Sequence, residues 1–65
     1  MIDYSPFWET LKDRGLSWNR LVQEHDVNPS TLHRIKHNKT ITTDTIDRLC
    51  DILNCDVSGV IRYCK

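Results

Sequence analysis

The sequence contains few cysteines, few glycines and no long apolar run. It has two glycines and three cysteines among 65 residues. The cysteines (Cys50, Cys55 and Cys64) are odd in number and form no Cys-x-x-Cys unit, which argues against a disulfide framework and a zinc site. No apolar run approaches the ~18 residues of a spanning helix, and the first residues have no signal-peptide layout. We therefore expect a soluble cytoplasmic domain without a metal or a cofactor.

The small size of the chain limits the functions it can have. A domain of this length buries only about 60% of the surface of its unfolded chain, which leaves little room for an enclosed active site. No nucleophile–base spacing is recognisable. The carboxylates Asp44, Asp47 and Asp51, with Arg48 between them, follow the helical period of an exposed charged face. We expect one domain, residues 1–65, that is not an enzyme and binds no small-molecule ligand.

The chain has no net charge, but its charges are unevenly distributed. Residues 1–27 carry a net charge of −2 and residues 44–65 a net charge of −1. Residues 28–43 carry +3, from Arg34, Lys36 and Lys39, and contain no acidic residue. A basic segment between acidic flanks is typical of a surface for an anionic partner such as nucleic acid, although an ordinary solvated face would look the same.

Apolar spacing and helix-boundary residues predict five helices and no convincing strand. The approximate ranges are 6–14, 18–25, 29–37, 43–53 and a short segment after residue 56. The expected N-caps, whose side chains accept backbone N–H groups, are Ser5, Ser17, Asn28 and Thr42. The residues expected to end helices in a left-handed conformation are Gly15, Asn38 and Asn54.

The second and third helices form a helix-turn-helix pattern over about residues 17–37. On a wheel of about 100° per residue, Leu32 and Ile35 mark the buried side of the third helix. The opposite side carries four polar residues, none acidic: Ser30, His33, Arg34 and His37. Arginine can bond guanine O6 and N7 by two parallel contacts, and hydroxyl and imidazole groups can bond other base edges. We favour a groove-facing helix, flanked by phosphate-binding lysines, over an ordinary polar helix surface.

The stretch GLSWNRLVQEHDVNPSTLHRIKHNKTIT, residues 15–42, resembles the Cro/C1-type helix-turn-helix family of phage repressors and their bacterial relatives, also called the XRE family. HNKT resembles the short Asn-Gly-Lys-Ser/Thr segment that follows the family's recognition helix. TTDTIDRLCDILNCDVSGVI resembles its fourth and fifth helices. The resemblance spans roughly residues 5–62 without an insertion. It implies an all-α, five-helix, lambda-repressor-like domain that binds a specific double-stranded DNA sequence as a transcriptional repressor.

The helical wheel and the resemblance together give two sets of candidate residues. Those expected to reach base edges are Pro29, Ser30, Thr31, His33, Arg34 and His37. Those expected to contact phosphates are Ser17, Trp18, Asn28, Lys36, Asn38, Lys39 and Thr40. Thr31 lies near the buried side of its helix, where a small side chain also favours close packing of the two helices.

Three positions depart from the family's pattern. Trp18 stands where the family often has a glutamine that anchors DNA, and its indole either packs under the recognition helix or donates its N–H to a phosphate. Asp26 replaces the usual glycine of the turn, and Asn38 replaces the glycine after the recognition helix. Both residue types tolerate left-handed backbone. His25 is expected to point inward as a partly buried, hydrogen-bonded histidine.

The C-terminal segment contains candidate dimer residues. Its predicted helix places Val57, Val60 and Ile61 on one face. Val60, Ile61 and Tyr63 either close the core or join two copies of the chain. A two-fold dimer would bind half-sites about one helical turn, roughly 34 Å, apart.

Two functions other than DNA binding stay open. The same fold can serve as a protein–protein interaction module, such as an antitoxin or adaptor, and the neutral net charge gives this some support. His33 and His37 have the four-residue spacing of a zinc pair, and the thiols could form a metal- or redox-responsive switch, but further ligands are missing. Steep salt dependence would distinguish DNA binding from a protein-interaction module. A change in binding on chelation or oxidation would reveal a metal- or redox-responsive switch.

Overall fold

The computed structural model describes all 65 residues and contains four α-helices, a single 3₁₀ turn and one pair of short strands. In chain order these are β1 (Ile2–Asp3), α1 (Ser5–Asp13), α2 (Trp18–Glu24), α3 (Pro29–Lys36), α4 (Thr43–Leu53), the 3₁₀ turn (Val57–Gly59) and β2 (Arg62–Tyr63). The predicted all-α class with a central helix-turn-helix is confirmed. None of the helices is long and apolar enough to cross a membrane.

Side-chain oxygens start three of the four α-helices as predicted. Ser17, Asn28 and Thr42 each accept a backbone N–H two or three residues further along the chain. Each bond satisfies one of the N–H groups that a helix leaves unpaired at its start. The prediction for α1 is wrong by one residue. Ser5 is the first helical residue there, and Tyr4 is the N-cap without a side-chain cap. The Asp3 carboxylate, one residue earlier, accepts the Ser5 N–H at 3.2 Å and its hydroxyl at 2.9 Å.

Left-handed residues end α1, α3 and α4, as predicted. Gly15, Asn38 and Asn54 have φ angles of 68°, 56° and 53°. In each case the following residue donates its N–H to a carbonyl five positions back. After α3, for example, the Lys39 N–H donates to the Arg34 carbonyl at 2.7 Å. This arrangement satisfies carbonyl groups that the helix itself leaves unpaired.

Ten side chains form a single buried core to which every α-helix contributes. They are Tyr4, Phe7, Leu11, Leu21, Val27, Leu32, Ile35, Leu49, Leu53 and Val60. Leu32 and Ile35 are 0% and 2% exposed, which confirms the predicted buried side of α3. No charged residue is buried. The rotation of α3 about its own axis is therefore set by the apolar residues on one side.

A single 3₁₀ turn stands where a fifth helix is predicted. Gly59 packs so closely against Cys55 that a Cβ there would lie 2.9 Å from the Cys55 Sγ. The Gly59 carbonyl also accepts the Thr10 hydroxyl at 2.8 Å. Because glycine is among the weakest helix formers, the helix does not extend through this position. Val57 is 53% exposed whereas Val60 is fully buried, so the two do not share the face predicted for them.

The prediction that the chain has no strand is wrong near its two ends. Ile2 pairs with Tyr63 and Asp3 with Arg62 in antiparallel register. Asp3 and Arg62 also form an ion pair at 2.8 Å. Hydrogen bonds from Ser5, and then from Arg62, hold the pKa of the Asp3 carboxyl below its usual value. Strands of two residues are too short to show an alternating pattern in the sequence.

Replacing Leu32 by alanine removes a fully buried side chain from α3. We expect the free energy of unfolding to fall by about 2–5 kcal/mol, because apolar contacts are lost and a cavity is left. Urea denaturation followed by circular dichroism measures this change. Val57→Ala is the matched control, since this side chain is 53% exposed and its loss changes stability by about 0.5 kcal/mol or less. A Leu32→Ala protein as stable as the wild type would show that α3 is rotated differently.

Candidate nucleic-acid interface

The turn between α2 and α3 spans residues 25–28. Asp26 has a φ of 56°, and aspartate adopts this left-handed conformation more readily than most residues. The aspartate therefore fits where a glycine is more usual. Val27 buries its side chain and donates its N–H to the Leu21 carbonyl at 3.0 Å. These contacts determine the direction in which α3 leaves the turn.

Arg48, which lies in α4 outside the helix-turn-helix, binds the backbone of the same turn and so clamps it. Its Nη2 donates to the His25 carbonyl at 2.7 Å and to the Asp26 carbonyl at 3.0 Å. Carbonyl groups at the C-terminal end of a helix have no partner within it, and a cationic donor suits them. Arg48 is exposed, as predicted, but it has a structural role that the charged face alone did not indicate. His25 is half-buried as predicted, but the predicted hydrogen bond is wrong, because its imidazole bonds to no group of the chain and only its backbone carbonyl is engaged.

The start of α3 presents hydrogen-bonding groups to solvent. The side-chain oxygen of Asn28 accepts the Ser30 N–H at 3.0 Å and the Ser30 hydroxyl at 2.8 Å. Asn28, Pro29 and Ser30 are all exposed. The Asn28 amide nitrogen keeps its N–H groups free to donate, and the Ser30 oxygen keeps acceptor capacity. The positive end of the helix dipole adds to the attraction for a phosphate.

Arg34 extends from α3 toward the loop that follows the helix. Its Nε donates to the Thr40 carbonyl at 2.9 Å, and the two residues line a shallow groove together with Thr31. The two terminal amino groups of Arg34 bond to nothing within the chain. They remain available for an end-on, two-bond contact with a guanine or a phosphate. Thr31 is half-buried, in keeping with its position near the buried side of α3.

A row of rings crosses α1, α2 and α3. Trp8 stacks on Trp18 with 6.3 Å between ring centroids and 15° between planes. Trp18 meets His33 in a T-shaped contact at 5.2 Å and 77°, and His33 stacks with His37 at 6.3 Å and 6°. We call Trp8, Trp18, His33 and His37 the aromatic row. Trp18 thus packs between α1 and α3, while its indole N–H bonds to no group of the chain.

The loop after α3 is tied to the start of the chain. The buried Tyr4 donates its hydroxyl to the Lys39 carbonyl at 2.7 Å. This bond fixes the loop backbone and leaves the side chains of Asn38, Lys39 and Thr40 exposed. Lys36 is also exposed, on the flank of α3 that faces β1 and the start of α1.

None of the predicted base- or phosphate-contacting residues is buried. Only Thr31 and Trp18 are half-buried, and the others are exposed. Ser17 caps α2 by accepting the Arg20 N–H at 3.3 Å, which leaves its hydroxyl hydrogen free to donate. Since residues 28–43 contain no acidic residue, the positive charge of this segment has no partner within it. The surface can therefore attract a polyanion.

Three residues that position this surface are not among the sequence-predicted site residues. They are Tyr4, Trp8 and Arg48. Each contacts a segment distant in sequence, so no local pattern identifies its partner. The one sequence feature that points to the contact between Trp8 and Trp18 is that they are the only tryptophans and that both lie next to apolar positions of their helices.

No group of three His, Cys, Asp or Glu side chains converges in the structure. The three cysteines are unpaired and half-buried. Burial, and then the neighbouring Cys55, raises the pKa of the Cys50 thiol. That thiol is protonated at neutral pH and is a weak nucleophile and metal ligand.

Two helices joined by a fixed turn, the second with an exposed basic face, define a helix-turn-helix nucleic-acid-binding domain. The sequence profile of the Cro/C1-type HTH DNA-binding domain family matches residues 7–64. The chain belongs to this family and is a DNA-binding domain of the kind found in transcriptional regulators. Among solved structures, it is similar to the transcriptional regulator VanUg (crystal form II), with a TM-score of 0.83 and 26% identity, covering 94% of this chain and 81% of that chain. No curated protein is significantly similar in sequence.

Replacing Arg48 by alanine removes both hydrogen bonds that clamp the turn between α2 and α3. We expect a loss of about 1 kcal/mol in the free energy of unfolding, since an exposed charge-assisted bond contributes less than a buried one. Amide hydrogen exchange at Val27 should also accelerate. Asp47→Ala, at an exposed position on the same helix without a hydrogen bond, is the control and should change neither quantity. Unaltered exchange at Val27 in Arg48→Ala would contradict the clamp.

Proposed function

We propose that the chain binds a specific double-stranded DNA sequence and represses transcription, with α3 in the major groove. The observation that carries this proposal is the exposed face of α3. Ser30, His33, Arg34 and His37 all bear hydrogen-bonding groups there, and residues 28–43 contain no carboxylate to repel phosphates. Base edges are recognised by such groups, and phosphate contacts set the register of the protein on the duplex. Occupation of an operator would exclude the transcription machinery from the same DNA.

Arg34 is the main candidate for base recognition within this face. Its free terminal amino groups match guanine O6 and N7, while the Nε bond to Thr40 limits the directions in which they point. Ser30 and His33 are the next candidates, and His37 is a lesser one at the end of the helix. The residues that complete the proposed base-contacting set are Pro29 and Thr31.

The proposed phosphate contacts surround α3. They come from two helix starts, from the last residue of α3 and from the loop after it, and comprise Ser17, Trp18, Asn28, Lys36, Asn38, Lys39 and Thr40. Ser17 and Asn28 each retain a free donor after capping their helices. Trp18 has an unbonded indole N–H, which supports a single phosphate contact.

We further propose that two copies bind as a homodimer on a two-fold symmetric operator. One domain reads only a few base pairs, so a monomer would bind weakly under physiological salt. Of the candidate dimer residues, Val60 is fully buried and closes the core instead. Tyr63 is 69% exposed on β2, and Met1 and Ile2 are exposed beside it. Together they provide an apolar surface for the second copy.

Selection from a randomised duplex pool, with Arg34→Ala in parallel, tests the proposal. We expect the wild type to enrich a two-fold symmetric site. Arg34→Ala should lose the preference at one base pair of each half-site and about 1–3 kcal/mol in binding free energy. Arg34→Lys is the matched control for charge, because lysine keeps the charge but lacks the planar two-bond geometry, and it should lose the same preference. An unchanged base preference in both variants would exclude Arg34 from base recognition.

Replacing Lys39 by alanine should weaken binding to all duplex sequences alike. The loss of one phosphate contact lowers the slope of log affinity against log salt by about one. Binding isotherms at several salt concentrations measure this slope. Lys65→Ala, outside residues 28–43, removes the same charge and should leave the slope unchanged. A sequence-dependent loss in Lys39→Ala would contradict the phosphate role. Absence of any DNA binding in the wild type would favour a protein-interaction module on this fold.

A further inference from the structure

We propose that Trp18, supported by Trp8, is a positioning residue that holds the His33 imidazole in the orientation that reads one base pair. This inference rests on the proposed function, because it concerns a side chain assigned to the base-reading face. It gives Trp18 a role in specificity in addition to the phosphate contact of its indole N–H.

Apart from Trp18, the only ring that contacts the His33 side chain is the exposed His37. His33 is exposed, and its imidazole makes no hydrogen bond within the chain. Its ring contacts are the T-shaped contact with Trp18 at 5.2 Å and the stack with His37 at 6.3 Å. An exposed side chain loses rotamer freedom when it binds, and this loss opposes binding unless the side chain is already ordered.

The support for His33 extends into the core. Trp18 is the first residue of α2, directly after the capping Ser17. Its ring stacks on Trp8, and Trp8 makes a T-shaped contact at 4.9 Å and 75° with Phe7. Phe7 is fully buried. His33 is therefore connected through two indole rings to a fully buried side chain of the core.

A purely structural role for Trp18 and a positioning role predict different results. If Trp18 only stabilises the fold, its replacement weakens binding to every sequence by the same factor. If Trp18 orients His33, its replacement reduces the preference at the single base pair that His33 reads. Aromatic pairs have coupling energies that correspond to about a 2- to 12-fold effect, which sets the expected size.

The experiment combines selection from a randomised duplex pool with competition binding assays on the selected DNA. It uses the variants Trp18→Leu, Trp18→Phe and His33→Ala. His33→Ala identifies the base pair that depends on the imidazole. We expect Trp18→Leu to reduce the preference at that base pair by about 2- to 12-fold and to leave the preference that depends on Arg34 intact. Trp18→Phe keeps an aromatic ring beside His33 but removes the N–H, so it should largely restore the preference while weakening binding to all sequences.

The double variant Trp18→Leu with His33→Ala provides the decisive comparison. Its base preferences should equal those of His33→Ala alone, because Trp18 acts through His33. Undiminished preference in Trp18→Leu, or an added loss at that base pair in the double variant, would overturn the positioning role. A wild type that enriches no site would overturn the proposed function and this inference with it. A wild type that enriches a site which Trp18→Leu reads equally well would overturn the inference alone.

Nuclear magnetic resonance of the free wild-type protein tests the contact between Trp18 and His33 directly. It needs neither DNA nor a folded variant. We expect nuclear Overhauser effects between the indole protons of Trp18 and the imidazole protons of His33, together with one dominant χ1 rotamer of His33. The exposed His37 is the internal control and should show more rotamer averaging. Averaged χ1 couplings for His33 and no indole–imidazole effect would overturn the positioning role.

Discussion

Burial of one side of α3 is the constraint on which the rest of the surface depends. Leu32 and Ile35 lie in the same core as Leu21 of α2 and Phe7 of α1. Each such side chain contributes roughly 1.5–3 kcal/mol on burial, a large share of the 5–15 kcal/mol that is typical for a whole domain. The helix cannot rotate about its axis without losing this contribution. The polar residues of the opposite side are thereby presented to solvent as a set.

Arginine side chains replace the cross-links that the chain lacks. Arg14 donates to the carbonyls of Leu53 and Asn54 at 2.8 and 3.2 Å, and Arg48 and Arg34 likewise donate to backbone carbonyls of other segments. The bonds of Arg14 and Arg48 connect helix ends to neighbouring elements and satisfy carbonyl groups that the helices leave unpaired. Arg14 and Arg48 thus direct guanidinium donors to the backbone of the fold, whereas Arg34 keeps its two terminal amino groups free and the Lys36 and Lys39 side chains make no hydrogen bond.

Features set by neighbouring residues could be predicted from the sequence, and features set by tertiary contact could not. The bounds of α4 and the buried side of α3 follow from apolar period and capping residues, which are local. The 3₁₀ turn depends on Gly59 packing against Cys55, and the aromatic row depends on how α1, α2 and α3 cross. The exposure of most candidate DNA-contacting residues was predictable, and packing of Trp18 under α3 was one of two predicted alternatives, whereas the stack of Trp8 on Trp18 was not predicted.

The pairing of β1 with β2 brings the first and last residues of the chain side by side. The Met1 amino group donates to the Cys64 carbonyl at 2.6 Å, and the Cys64 N–H donates to the Met1 carbonyl at 2.8 Å. A domain with adjoining ends can be spliced into a surface loop of another protein without stretching either partner. The same geometry allows the old ends to be joined by a short linker and new ends to be opened elsewhere. The domain that carries the helix-turn-helix is thus suited to insertion into another protein.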